Sequence, residues 1–317
     1  DMSNLTSGSS RELGLHSQTI QAIGDVYAVN RKTFKKPFLK WRSKDRSLGW
    51  IPLKASGFQI DKDSVIHQGK VYKFWNSRPL PEDAKIKTGS FHQDSRGRWY
   101  LNVTFETQPI EHSHEVEAVG IDLGCKDLMV LSDGARQERA RATNRFQDKL
   151  ATAQRANKKK QTRNIQAKIK NVRNDHTHKV TTQIAKKYKN IFIGDVVSRS
   201  IIEKGKKGIT KAVLDGAWYQ IRLLLVYKAI RLGGRAWIVD EAYSTQDCSV
   251  CSARTGPRGE EGLSVREWSC SACRSHHDRD VNAARNILMR GKIQIRDGTD
   301  GSISVADMLR QKGIPSL

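Results

Sequence analysis

AWIVDEAYSTQDCSVCSARTGPRGEEGLSVREWSCSACRSHHDRDVNAARNIL, residues 236–288, places a metal-ligand spacing between two groups of carboxylates. Four of the five cysteines fall here as two C-x-x-C pairs, Cys248 with Cys251 and Cys270 with Cys273, eighteen residues apart. That is zinc-ribbon spacing. Each C-x-x-C turn aims two thiolates at one point, and two such turns complete the closed tetrahedral shell of a structural Zn2+. The disulfide alternative needs an oxidising compartment and usually a small cysteine-dense chain, whereas this chain has 317 residues. Ahead of the knuckles, the strand-like run AWIVDE ends in Asp240 and Glu241. Behind them, Asp278 and Asp280 open a helical segment.

The whole chain is made for a polyanion. It carries 56 Lys plus Arg against 33 Asp plus Glu, a formal charge of +23, with only 37% hydrophobic residues. Nucleic acid is favoured over a membrane surface, because no apolar run of about 18 residues and no lipidation signature is present.

Working back from the ribbon, a helix is expected over about 210–232, with Leu214, Trp218, Ile221 and Leu225 on one face at core spacing. A basic loop, EKGKKGITK, precedes it. NIFIGDV, 190–196, reads as a buried strand ending in Asp195. Residues 135–190 read as helical and hold 17 Lys plus Arg against 3 acids, so self-repulsion opposes a compact helix pair unless a polyanion neutralises it. Near their end Arg173, Asp175, His178 and Lys179 fit either substrate contacts or a polar cluster fixing two helices.

AVGIDLG, 118–124, is a buried strand interrupted by Asp122, and an isolated acid in such a run must be paired, hydrogen-bonded or metal-bound. LMVL at 128–131 follows as an antiparallel partner, the way an RNase H-like sheet begins. Between about 50 and 110 the pattern changes to period-two runs. In GRWYLNVTFE, Trp99, Leu101, Val103 and Phe105 alternate with polar residues, and Asp94–Gly97 is a hairpin turn. A small antiparallel barrel or sandwich is expected there. A helix capped by Ser17, with Ile20, Ile23, Tyr27 and Phe34 near helical spacing, precedes it. The basic, aromatic segment Lys40–Arg46 lies between.

Asp122, Glu241 and Asp280 thus stand at strand ends or a helix start on three separate elements. Three converging carboxylates suit two Mg2+ ions hydrolysing a phosphodiester. Acids at a helix start are more often caps than catalysts, so the reading rests on convergence. Cys125 has no recognisable histidine partner as a nucleophile.

GIDLG around Asp122, RNDHTHK at 173–179, the paired knuckles, DRDVNAARNIL at 278–288 and the closing GIPSL resemble TnpB, the transposon-encoded RNA-guided nucleases related to type V CRISPR effectors. The resemblance implies a wedge-like β-barrel with a short helical recognition part over 1–112. It implies a RuvC nuclease domain of RNase H-like fold over 113–244 and 276–317, interrupted by the zinc ribbon at 245–275. It also implies a guide RNA, a double-stranded DNA target with an adjacent short motif, and a cytoplasmic, nucleoid-associated setting in a prokaryote.

Carried over residue by residue, Asp122 is the first RuvC acid and Asp280 the third, with Asp278 a nearby alternative. The second acid departs from the pattern, since its position is Gly194. Asp195, one residue on, faces the other side of a strand. Glu241, at the end of the next strand, is the expected replacement. A nuclease-inactive guided DNA-binding protein is the alternative, and a zinc-ribbon RNA-binding protein without a guide would leave Asp122 and Asp280 unexplained.

Overall fold

The computed structural model describes residues 4, 6–40, 43, 47–124, 126–195, 218–258, 262, 264–297 and 302–304. Two compact units divide between Gln108 and Pro109.

The first unit starts with α1 (Ser9–Leu13) and α2 (Ser17–Phe34), followed by β1 (Trp50–Lys54), β2 (Gln59–Asp61), β3 (Ser64–His67), β4 (Lys70–Lys73), β5 (Lys85–Gln93) and β6 (Trp99–Glu106). Its strands form two three-stranded antiparallel sheets, ordered β1-β5-β6 and β2-β3-β4. The period-two reading of β6 holds: Leu101 and Val103 pack on the buried cluster of Leu53, Phe58 and Val65, while Asn102 and Thr104 face solvent. The turn into β6 is tied by Asp94, whose Oδ1 accepts from the amides of Arg96 (2.8 Å) and Arg98 (3.1 Å). Along helix α2, Ile20, Ile23 and Tyr27 are half-buried, as their spacing suggests. Thr19 and Ala22 are buried and Phe34 is 52% exposed. Of the basic segment 40–46, only Lys40 and Ser43 lie within the described residues.

The second unit is built on a five-stranded mixed sheet, ordered β11-β10-β7-β8-β9. Its strands are β7 (Val116–Asp122), β8 (Met129–Leu131), β9 (Arg136–Gln137), β10 (Tyr188–Gly194) and β11 (Arg235–Val239). Strands β7, β10 and β11 run parallel, β8 antiparallel to β7 and β9 antiparallel to β8. The parallel strands read as unbroken apolar runs because both faces are covered. On one face Ile121, Ile191 and Ile193 pack against α4 (Lys159–Lys187) and α5 (Trp218–Arg231) through Val180, Ile184, Ile221 and Leu225. On the other, Phe192, Trp237 and Val239 meet Ile287 of α6 (Arg279–Arg296). Helix α3 (Ala142–Arg155) packs with α4, and β12 (Glu267–Ser269) pairs with β13 (His276–Asp278) inside the cysteine module.

Register places the carboxyl ends of the three parallel strands side by side, Ile121 opposite Ile193 and Gly194 opposite Val239. Asp122, Gly194–Asp195 and Asp240–Glu241 therefore leave the sheet at one edge. Open α/β sheets bind ligands at that edge. The first part of the helix expected over about 210–232, Leu214 with it, the loop 203–211, Cys125 and GIPSL lie outside the described residues. Among the described residues no helix is long and apolar enough to cross a membrane.

Candidate active site and zinc site

Two glycines decide how closely the acids can gather. A side chain at Gly120 on β7 would run into the carbonyl oxygen of Ala284, so the missing Cβ lets α6 lie directly on the strand that carries Asp122. A side chain at Gly194 would run into the carboxylate of Glu241. The space an acidic side chain at the end of β10 would fill is thus already taken by the carboxylate Glu241 sends back over the strand end. Asp195, the neighbouring acid, plays another part: its Oδ1 accepts the backbone amide of Glu241 at 3.2 Å, and its own amide donates to Val239 O at 3.0 Å. It pins the turn that aims Glu241. Arg222 of α5 lies close enough to feel both charges. Burial lowers its pKa, and Glu241 and Asp195 oppose that fall.

Asp122 keeps some surface exposure, yet its carboxyl is packed deeply. Burial first, and then the charge of Asp280, push its pKa up to about 7, with Arg279 opposing. Asp280 lies in the first turn of α6, capped by Asp278, whose Oδ1 accepts from the amides of Asp280 (3.0 Å) and Val281 (2.9 Å). Asp278 is therefore the helix cap, and Asp280 is left free to project. Two guanidiniums approach these acids. Arg136 of β9 contacts Asp127 (2.7 Å), Asp278 (2.6 Å) and Asp280 (3.7 Å), and Arg266 of the cysteine module contacts Asp280 at 3.3 Å.

Among the described residues, the only group of three or more metal-ligating side chains gathered within 4.8 Å is the four cysteines, so Asp122, Glu241 and Asp280 are not gathered that tightly. Two ions about 3.5–4 Å apart need donors spread over a wider span than one ion does. The donor set suits hard divalent cations: oxygen ligands only, one of them a carboxyl whose proton affinity is raised by burial and by the charge of Asp280.

The segment linking Glu241 to the first knuckle is stitched to α6. Asn282 and Asn286 each donate to the carbonyls of Ser244 (3.1 and 2.7 Å) and Asp247 (2.8 and 2.7 Å), and Asn282 Oδ1 accepts from Ser249 N at 2.9 Å. Arg290 donates to the carbonyls of Asp240 and Ala242, both at 2.8 Å. The asparagines of DxNAARN are thus positioning groups that fix Glu241's turn relative to Asp280's helix.

In the cysteine module each knuckle repeats one pattern. Cys248 N donates to Ala253 O and Cys270 N to Ser275 O, while Ser252 N and Arg274 N return to the two cysteine carbonyls. Ser252 and Arg274 take the left-handed conformation this requires, at φ 62° and 64°. Three sulfurs have further polar neighbours. Thr255 Oγ1 donates to Cys270 Sγ (3.2 Å), Ser275 Oγ lies 3.2 Å from Cys273 Sγ, and His277 Nε2 lies 3.1 Å from Cys248 Sγ. Donation from Thr255 heads the effects that draw the Cys270 thiol down to about 6, and the Ser275 side chain heads those that lower Cys273. Thiolates are the ligand form, so the module fits zinc.

Sequence reasoning named the cysteines and three acids but not Arg136, Arg266, Asn282, Asn286, Thr255 and His277, whose side chains lie against those residues or the turns that carry them. His277 beside Asp278 was a readable signal, and it proves buried and packed on Trp268 at 4.7 Å. Of the RNDHTHK stretch, His178 meets α5 through its backbone: Lys228 donates to His178 O and, one turn on, to Thr181 Oγ1 and Thr182 Oγ1, each at 2.7 Å, while Asp175 pairs with Lys179 at 2.8 Å on the surface.

Residues 218–287 match the family model described as "Cas12f1-like, TNB domain", and residues 101–203 match one described as "Probable transposase". A protein of Streptomyces pristinaespiralis named "Putative RNA-guided DNA endonuclease" is 32% identical over 289 residues, covering 87% of this chain and 69% of its own length. An Escherichia coli K12 protein of the same name, with InsQ appended, is 31% identical over 300 residues, covering 86% and 73%. Among solved structures, the chain in "Cryo-EM structure of the Cas12f1-sgRNA-target DNA complex" is similar in fold, with a TM-score of 0.51 at 14% identity, over 86% of this chain and 70% of that one.

Proposed function

We infer the activity from this premise: the chain belongs to the TnpB family of transposon-associated RNA-guided DNA endonucleases. Its carboxylates stand at one edge of the mixed sheet. The reading is a guide-RNA-directed endonuclease that hydrolyses a DNA phosphodiester at a RuvC-type site formed by Asp122, Glu241 and Asp280. The second unit is read as RuvC over 113–244 and 276–317, with the zinc ribbon inserted at 245–275, and the mixed sheet ordered β11-β10-β7-β8-β9 supports that reading. The 1–112 part is read as the wedge-like barrel. The observation that carries the proposal is Glu241's carboxylate filling the space above Gly194. It returns an acid to the end of β10, between the strands ending at Asp122 and Val239.

Mg2+, when bound, supplies a nucleophilic water at neutral pH and stabilises the leaving oxygen. Asp122, Glu241 and Asp280 would hold it. Asp195 fixes the turn that points Glu241, and Asn282, Asn286 and Arg290 keep that turn in register with α6. Arg136 and Arg266 bring positive charge to the edge where a phosphodiester would lie. Zn2+ on Cys248, Cys251, Cys270 and Cys273 is structural and sets the position of Arg266. The basic helices α3 and α4 meet the nucleic acid backbone. Guide pairing reads the target, and a short motif beside it is read as duplex. The setting is the bacterial cytoplasm.

Purified protein is expected to carry a discrete RNA and to cut DNA matching it only with Mg2+ present. Asp122→Ala should abolish cutting and leave RNA binding unchanged. Unimpaired cutting by that variant would sink the assignment, and guided binding by the native protein without any cut product would favour the nuclease-inactive alternative.

A further inference from the structure

The first unit holds a cleft of about 460 Å3 between its two sheets and the start of α2. Val65, Phe74, Phe91 and Leu101 give it an apolar lining, and the rings of Tyr72, Trp99 and Tyr100 line it while remaining 43%, 51% and 42% exposed. Three exposed rings gathered at one open cleft form the kind of contiguous apolar patch that marks an interaction site. Two imidazoles also line it, His16 and His67, with centroids 5.6 Å apart. His67 is buried, and its Nδ1 donates to Gly57 O at 2.7 Å, which leaves Nε2 as an acceptor. His16 makes no capping hydrogen bond to α2, and its Nδ1 is buried without a partner. Lys73 and Gln68 add polar groups to the lining.

We propose that this cleft is a binding site for one unstacked base of the RNA partner. A base is planar, so it covers exposed aromatic rings, and its edge carries the donors and acceptors that two imidazoles can pair with. An aliphatic peptide anchor would cover the rings but leave the buried His16 nitrogen unpaired, which is costly. The charge agrees: residues 9–108 hold 18 Lys plus Arg against 9 acids, and all four residues of β4, Lys70–Lys73, are exposed beside the cleft. An anionic backbone would follow that surface while one base turns in.

The proposal rests on the RNA-guided reading, and the test separates the two. The probe is the RNA that copurifies with the full chain, cross-linked by ultraviolet light and mapped by mass spectrometry. Nucleotide adducts are expected on peptides containing Tyr72, Trp99 or Tyr100. In binding assays with the same RNA, Tyr72→Ala and Trp99→Ala should each weaken affinity about tenfold, while Tyr72→Phe and Trp99→Phe hold near native, because one stacked base contributes roughly that much. Thermal melting of each variant shows whether the unit is folded. Adducts confined to peptides outside residues 65–101, or Ala variants that are folded and bind RNA as natively, overturn the proposal. A change of oligomeric state in the Ala variants, with RNA affinity unchanged, overturns it in favour of a second copy of the chain. Absence of any copurifying RNA overturns the RNA-guided reading itself.

Discussion

The two candidate metal sites flank one another in sequence and are built in opposite ways. In the ribbon, four sulfurs from within 26 residues lie inside 4.8 Å, each pair held by the backbone bonds of its own knuckle. At the sheet edge, Asp122, Glu241 and Asp280 come from three elements spread over 159 residues, and nothing local brings them together. Their placement depends on Gly120 admitting α6, on Asp195 holding the β11 turn and on the asparagines that stitch turn to helix. A site made by local turns should fail when a ligand is lost. A site made by packing should tolerate an acid moved between elements if the carboxylate returns to the same place.

The largest effect tests the first half of that contrast. Cys248→Ser or Cys270→Ser should reduce bound zinc to near zero by elemental analysis, since structural zinc contributes on the order of 10 kcal/mol to the fold of such a module. Limited proteolysis should then open residues within 245–275 while the mixed sheet stays protected. Retention of one zinc per chain by both variants would break the contrast.

The second half is tested by moving the acid. Glu241→Ala should slow cutting by about a hundredfold or more, in line with loss of a group that stabilises the transition state. Adding Gly194→Glu to that variant should recover a substantial part of the rate, because removing the Glu241 side chain clears the space its carboxylate occupied. Gly194→Glu alone should impair the protein, as two carboxylates would compete for that space. If the double variant stays as inactive as Glu241→Ala while binding RNA and DNA normally, Glu241 is not the displaced acid.

The same contrast explains what could be read from the sequence. The knuckles were legible because ligand spacing and turn geometry are both local. The parallel strands were legible because burial on both faces leaves unbroken apolar runs such as Ile191–Ile193. Glu241 could be nominated from its place at a strand end and from a glycine where the resemblance leads one to expect an acid. Arg136 could not be found at all. It meets Asp278 across 142 residues, and no local pattern marks a guanidinium that tertiary packing delivers. Helix α2 was legible in part: Ile20, Ile23 and Tyr27 are half-buried as their spacing suggests, but the fully buried positions are the small Thr19 and Ala22, which carry little hydropathic signal, and Phe34 at the far end is left outside.

A smaller effect is expected from Asp122 in protein without added Mg2+. Its pKa in the folded chain is about 7, above its ordinary 3.8, so the folded state holds a proton that the unfolded state releases. Stability from this group is fully present below about pH 4 and is lost as pH rises through 7. The ceiling is about 4 kcal/mol by the usual conversion, and partial exposure reduces it to about half that in water. Asp122→Asn should therefore raise the melting temperature at pH 8 and flatten its fall between pH 5 and 8, and if Asp122 holds Mg2+ as proposed, added Mg2+ should stabilise the native chain but not the variant. A melting curve whose pH dependence is unchanged by the substitution would show that the carboxyl is not held in this way.

The smallest effect belongs to the groups around the thiolates. Thr255 donates to Cys270 Sγ, and that bond heads the causes drawing the thiol down to about 6. Thr255→Val keeps the shape and removes the donor. Zinc affinity, measured by competition with a chelator, should fall about tenfold, the lower end of what outer-shell partners contribute. The loss should be greatest at acidic pH, where protons compete hardest for a sulfur that has lost its stabilising bond. Cutting at saturating zinc should be unchanged, because the ribbon still closes and Arg266 still reaches Asp280. A drop in cutting with zinc fully bound would mean that the module acts on the carboxylate edge through Thr255 itself, and the two sites could no longer be treated as separately built.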